Sequence, residues 1–223
     1  MVSPSSRCAW TSPPWNYSAS NLTTLAILKE ISYPFRVFGR LQHHGPYVKS
    51  WRPYLGQSAA VRGIFFNKTR SSNWKVVWHQ DVTIAVRERA DVAGFGPWTM
   101  KAGILHVQPP PEVMSGLLAI RLHVDESGID NGPLRVIAGS HRKGRLSTGQ
   151  IASWNKETAV TCTIPKGGAL VMRPLLLHAS SSCVVPKSRR VIHLEFAAAE
   201  LPHGLDWHDR VPLNKRLPAV GPG

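Results

Sequence analysis

The chain has 223 residues, 43% of them hydrophobic, with 27 Lys and Arg against 13 Asp and Glu for a net charge of +14. That is enough to bury one full core, and no apolar run approaches the roughly 18–20 residues a membrane helix needs, so a globular enzyme or binding domain is expected rather than a membrane-spanning chain. The three cysteines, Cys8, Cys162 and Cys183, lack CxxC spacing and exclude a disulfide framework or structural zinc site, leaving buried or idle thiols.

The first fifty residues are rich in Ser, Pro and Trp and nearly free of acids, with one helical run, "NLTTLAILKEI", where Leu22, Leu25 and Leu28 recur at helical spacing. Transit peptides share that bias, so a cytoplasmic and an organellar address both stay open. From about Val61 the texture changes to short β-rich runs, "VRGIFFNK", "VVWHQDVTIAV", "LLAIRLHVD", "PLRVIAG", "GALVMR" and "RRVIHLEF", separated by turn residues. Such spacing predicts a mainly β core, a sandwich or jelly roll. Between Arg87 and Gly116, "GFGPW" and "QPPPEV" argue against regular structure. A loop of that length is read either as a lid or as a surface excursion pinned by Phe95, Trp98 and the prolines. Asp130-Asn131-Gly132 and Gly139-Ser140 supply tight turns, and Ser147 or Thr148 is the expected N-cap of one short helix in "STGQIASWNKE". His141, in its turn, is read as structural, and the tail after Leu201 as irregular. The domain organisation is thus a divergent segment over 1–60, a β core over 61–200 and a tail over 201–223.

Within "NWKVVWHQDVTIAV", His79 and Asp81 stand two apart in a strand-like run. Side chains i and i+2 of a strand share a face about 7 Å apart, so both can reach one ion. A third ligand completes the two-His-one-carboxylate triad of non-haem iron oxygenases, and His178, at the end of "LVMRPLLLH", is a candidate. Eleven residues later comes Arg189. Alternation places Arg189, Val191, His193 and Glu195 on one face and Arg190, Ile192, Leu194 and Phe196 on the other. The second face is apolar past its arginine and suits packing on helices, which turns Arg189 to the polar interior. Ten histidines make chance HxD triplets common, however, and His123-Val124-Asp125 is a second one. Spacing alone leaves the two open.

"KVVWHQD", "DNGPLRVIAGSHRKGRL", "GALVMRPLLLHASSS" and "SRRVIHLEF", in that order over roughly 61–200, resemble the phytanoyl-CoA dioxygenase family of Fe(II)/2-oxoglutarate oxygenases. The resemblance implies a double-stranded β-helix, a cupin-like jelly roll with a few flanking helices. It also implies His79, Asp81 and His178 as metal ligands, Ser180 beside the co-substrate carboxylate and Arg189 as its salt-bridge partner, whereas His123 and Asp125 fall where the family has no ligand. Ala138 replaces a proline common before Gly-Ser-His, and Arg121 stands where the phytanoyl-CoA enzyme has an aromatic residue near the co-substrate. Arg121 therefore either adds a cation for an anionic ligand or faces outward. Lys68 is read as reaching a carboxylate or as a solvated strand end, and Thr83 as a pocket hydroxyl.

The function so implied is hydroxylation of a small organic or acyl-type substrate, with 2-oxoglutarate and dioxygen consumed and succinate and carbon dioxide released; desaturation and ring closure belong to the same chemistry. Asp81 disfavours halogenation, since halogenases give up that carboxylate. Two other readings are a jelly-roll module that binds metal and 2-oxoglutarate without turnover and, weaker, a nucleic-acid demethylase. The positive charge favours anionic or CoA-linked small molecules. It is dispersed, with clusters only at Arg142-Lys143 with Arg145, at Lys187 with Arg189-Arg190 and at Lys215-Arg216, and no aromatic-basic stripe points to nucleic acid.

Overall fold

The computed structural model describes residues 58–184 and 188–212. Cys8, the helical run near Leu22–Leu28 and residues 1–57 of the expected 1–60 segment lie outside them. Four runs expected to be strands pair into one antiparallel sheet. β1 (Ala59–Lys68) lies beside β11 (Arg189–Ala197), then β6 (Leu117–His123) and β9 (Ala169–Met172), with β12 (Val211–Pro212) on the outer edge of β1. Facing it is the sheet of β2 (Val76–His79), β10 (His178–Ser180), β7 (Leu134–Val136) and β8 (Val160–Cys162), in that order. Two antiparallel sheets, whose neighbouring strands are distant in the chain except for β7 and β8, make the jelly roll the sequence leads one to expect.

Alternation along β11 sorts its side chains as expected. Ile192, Leu194 and Phe196 join Ala60, Ile120 and Val124 in an apolar cluster on one face, each worth about 1.5–3 kcal/mol of burial. Arg189, Val191, His193 and Glu195, all buried, take the other face. Between the sheets Ala119, Leu170 and Met172 meet Leu134, Val136, Cys162 and Ile164, so one end of the barrel is packed apolar and the polar chemistry sits toward the other. Cys162 and Cys183 are both buried thiols.

Two expectations are corrected. The 87–116 stretch is not an irregular loop. It carries β4 (Trp98–Lys101) and β5 (Ile104–Val107), which form a third sheet with β3 (Ile84–Ala85), and the helix α1 (Pro111–Ser115). The hairpin turns on Ala102 at φ +49° and Gly103 at φ +78°, both left-handed as a two-residue type I′ turn requires. Phe95 and Trp98 pack against the adjacent core, which favours the pinned excursion over the lid. The tail after Leu201 is also structured: Leu201, Leu205 and Trp207 are buried in that same core, and Val211 and Pro212 pair with β1. A second helix, α2 (Thr148–Ser153), starts at Ser147, whose side chain accepts from the Gln150 backbone N–H while the Gln150 side chain accepts from the Ser147 N–H. This capping box decides between the two expected caps.

Candidate metal centre and anion pocket

Pairing of β10 with β2 sets His178 directly opposite His79, and the two rings lie 4.2 Å apart, centroid to centroid. Asp81 follows beyond the end of β2, its backbone N–H donating to Pro174 O at 3.0 Å. Its carboxylate stands between the rings, 3.7 Å from His79 Nε2 and 3.7 Å from His178 Nε2. One ligand atom from each of the three falls within 4.8 Å of the others.

Both imidazoles are oriented the same way. His79 Nδ1 meets Val77 O at 2.8 Å and His178 Nδ1 meets Leu176 O at 2.7 Å. A carbonyl only accepts, so each Nδ1 carries the proton and each Nε2 presents a bare lone pair toward Asp81. His178 is buried, and that burial, against the pull of Asp81, lowers its pKa to about 4, so it is neutral and ligand-competent at physiological pH. Burial opposes ionisation of Asp81, yet His178, His193, His79 and Arg121 together hold its carboxyl below the usual range. Two neutral nitrogens and one carboxylate oxygen on one side of an ion suit a divalent transition metal with open positions opposite.

Two side chains that the sequence reading passed over set this geometry. Gln80 points away from the ligands and is buried. Its Nε2 donates to Gly144 O at 2.9 Å and Leu175 O at 2.6 Å, while its Oε1 accepts from the Leu146 N–H at 2.7 Å. It thereby ties the residue between the ligands to the segment leading into His178. Ser140, from the Gly-Ser-His turn, accepts from the Leu177 N–H at 2.8 Å and donates to Ile137 O at 2.8 Å. The signal for Gln80 was its place between the two ligands of the HQD triplet, and that for Ser140 was the Gly-Ser-His turn, which opens a short 3-10 helix. Gln80→Ala strands three backbone groups and is expected to cost about 2–3 kcal/mol, with metal affinity falling about tenfold or more; thermal melting and metal titration of the variant check both.

The competing triplet divides across the sheet. Asp125 leaves the strand to bind Arg190, accepting from Nε at 2.8 Å, Nη2 at 2.7 Å and the backbone N–H at 2.9 Å. His123 turns inward, buried, with neither ring nitrogen partnered. Burial, with Arg121 and Arg189 nearby, lowers its pKa to about 3. His123 and His178 therefore refuse protons that the unfolded chain accepts near pH 6.5. Their neutral burial is without penalty above that pH, and stability is lost as pH falls from about 6.5 toward 4 and lower. We expect the melting temperature of the metal-free protein to drop over that range, and His123→Phe to flatten the slope by up to about 1.4 kcal/mol per pH unit. An unchanged slope would contradict it.

Across the pocket from the triad stand the cations. Lys68 pairs with Arg189 in the β1–β11 register and is fully buried, its Nζ donating to Ser181 O at 2.8 Å and Ser180 Oγ at 3.3 Å. Of its two readings the solvated strand end is therefore excluded. Burial and then Arg189 lower its pKa to about 8. Arg189 is buried, donating to Gly132 O and holding Nε without a partner. Gly132 sits at φ +60° with Ser181 O only 2.5 Å from where a Cβ would stand, so the Asn-Gly turn can bring its carbonyl to Arg189 only because position 132 is glycine. Arg121 faces inward, not outward, in register with His193. Thr83 is half-buried and accepts from Lys101 Nζ at 2.9 Å. Among the described residues no ion pair involves Lys68, Arg121 or Arg189.

The family model described as phytanoyl-CoA dioxygenase matches residues 36–191. No curated protein sequence matches the chain. HygX from Streptomyces hygroscopicus, solved with nickel and 2-oxoglutarate bound, is similar with a TM-score of 0.54 and 14% identity, over 81% of this chain and 78% of HygX. ThoJ, a non-heme monooxygenase, gives 0.53 and 18% over 78% of this chain, and EvdMO1 gives 0.52 and 19% over 79%. The chain spans 60% of the length of ThoJ and 35% of EvdMO1. At these identities the likeness is one of fold.

Proposed function

The chain belongs to the phytanoyl-CoA dioxygenase family, and from that premise we propose that it is an Fe(II)- and 2-oxoglutarate-dependent dioxygenase hydroxylating a small organic or acyl-type substrate, with release of succinate and carbon dioxide. The observation that carries this is the pairing of a two-histidine, one-carboxylate set with buried cations that have no ion-paired carboxylate among the described residues. A dianion with a chelating end and a free carboxylate matches both.

His79, Asp81 and His178 would hold the metal. Iron bound there supplies the oxidation of the co-substrate by dioxygen and of the substrate C–H bond. Arg189, Lys68 and Ser180 would take the distal carboxylate of 2-oxoglutarate, the guanidinium through its fork and the hydroxyl and ammonium from the adjacent strands. Val77 O and Leu176 O hold the Nδ1–H of each ring, which leaves Nε2 as the atom each histidine would offer the metal. Depth excludes bulk water from the anion wall, since Lys68, Ser180 and Arg189 are all at most 4% exposed, whereas His79 and Asp81 are 36% and 28% exposed at the side chain and mark the open end through which a substrate would approach. Specificity then rests on the residues around that opening, including the β4–β5 hairpin.

Anaerobic addition of Fe(II) and 2-oxoglutarate should produce the visible charge-transfer band of a chelated complex, lost in His79→Ala and retained in His123→Ala. A folded wild-type protein that gives no band would refute the proposal. A band without coupled 2-oxoglutarate decay against any candidate substrate would instead favour the silent binding module.

A further inference from the structure

Arg121 has no place in the scheme above. It is 7% exposed, its Cζ lies 5.1 Å from the centre of the Phe66 ring, Nη1 is 3.2 Å from His193 Nδ1, and Nε is buried without a hydrogen-bond partner. A guanidinium only donates, so His193 Nδ1 must be the bare nitrogen and the imidazole proton sits on Nε2. That Nε2 faces Glu195 Oε1 at 3.4 Å, and Glu195 Oε1 in turn accepts from Arg62 Nη1 at 3.2 Å. A four-residue chain, Arg62, Glu195, His193 and Arg121, thus runs from the partly exposed edge of the sheet to an arginine in the pocket. Ring stacking and one neutral nitrogen hold the guanidinium in place but do not neutralise it, and they leave donors unspent.

The strand registers say where it is held. On the inner face of the sheet, Lys68 and Arg189 form one cross-strand row, His123 and Val191 the next, and Arg121 and His193 the third. Each row is about 7 Å further along the strands. On the facing sheet Ser180 contacts Lys68, and His178 is two residues before Ser180, in the direction of the third row. The charge of Arg121 is felt at Asp81 and His178 on the metal side and at Lys68 on the other.

Resting on the proposed co-substrate, we infer that Arg121 is a second carboxylate clamp, receiving the metal-proximal C1 carboxylate of 2-oxoglutarate, with His193, Glu195 and Arg62 as the residues that position it. A five-carbon dianion laid from the Lys68–Arg189 row toward the triad brings its second carboxylate over the His123–Val191 row, and the Arg121 guanidinium, rooted one row further on, leans back over that row against Phe66. A substrate carboxylate has the same chemistry, but its approach is from the exposed end, where His79 and Asp81 lie.

The test titrates metal-free, full-length protein, so that no turnover and no chelation enter the readout, with three probes. These are 2-oxoglutarate, 4-oxopentanoate, in which methyl replaces the C1 carboxylate, and 2-oxopentanoate, which lacks the distal one. Arg121→Met should weaken 2-oxoglutarate and 2-oxopentanoate on the order of tenfold or more, the scale of a lost charge-assisted hydrogen bond, and leave 4-oxopentanoate within about twofold. Arg189→Met should show the reverse preference, weakening 4-oxopentanoate and sparing 2-oxopentanoate. Arg121→Lys should recover part of the loss, and His193→Phe should reproduce part of it with the same probe preference. Equal weakening of all three probes in Arg121→Met would make the residue structural, and unchanged 2-oxoglutarate affinity would assign it to another ligand; either overturns the inference while leaving the dioxygenase reading intact. Failure of wild-type protein to bind 2-oxoglutarate with or without metal would remove that reading instead.

Discussion

His178→Ala is expected to lose metal affinity by on the order of a hundredfold or more and to leave no measurable coupled turnover. The scale follows from outer partners of metal ligands, whose removal alone costs about 10–100-fold; a direct ligand cannot cost less. His178 is the most buried of the three, at 3% exposed, with its ring already oriented through Leu176 O and its strand tied by Ser140 at Leu177. No other described side chain can substitute, because His123 faces the sheet interior with no carboxylate beside it and Asp125 is committed to Arg190. Removing the imbalance of a buried neutral ring should change folding stability less than function. The check is metal titration by fluorescence or calorimetry alongside a melting curve. Metal binding within threefold of wild type would show that the His79, Asp81, His178 cluster is not the metal site.

Arg189→Met should separate binding from stability in the opposite sense to most core substitutions. The wild-type interior carries Lys68, Arg121 and Arg189 with no ion-paired carboxylate among the described residues; burial and then Arg189 lower the pKa of Lys68 to about 8, and burial, against the more distant pull of Asp81, lowers that of Arg121 to about 10. Buried charge of that kind costs folding free energy, and an apolar side chain of similar length is often neutral or stabilising in its place. We therefore expect the melting temperature of ligand-free Arg189→Met to equal or exceed that of wild type, while 2-oxoglutarate affinity falls about 30-fold or more, as for a truncated partner of a buried charge pair. Wild type should also gain more melting temperature from saturating 2-oxoglutarate than the variant does. A variant that melts much lower and binds 2-oxoglutarate normally would mean that Arg189 is a structural arginine serving Gly132 O.

The jelly roll and the triad could be read before any coordinates because each is written in local pattern. Strand-length apolar runs between turns specify sheets, whereas spacing left His79 and His123 open, and only the family resemblance, carried by the order of HxD, Asn-Gly, Gly-Ser-His and His-x-Ser with its arginine, singled out His79. Alternation on β11 was decisive because one face is apolar and the other is not, so the parity of Arg189 needs no partner to define it. The β4–β5 hairpin escaped notice because its turn is Ala102-Gly103 in place of the Asn-Gly or Asp-Gly that normally announces left-handed residues.

What the chain could not declare alone was everything that depends on which strand lies opposite which. "LLAIRLH" is buried on both faces of β6, so its own pattern has no parity, and only pairing with β11 turns Arg121 and His123 inward and leaves Asp125 to Arg190. Lys68 reads as a polar strand end until the register with Arg189 and the crossing of β10 close over it. The tail after Leu201 looks featureless until Trp207 and Leu205 find the core beneath the hairpin. Composition and period are properties of neighbours in sequence and decide the sheets. Burial, charge repulsion and hydrogen-bond satisfaction are properties of neighbours in space, and they alone decide that three cations are buried on one face of the sheet without an ion pair among the described residues.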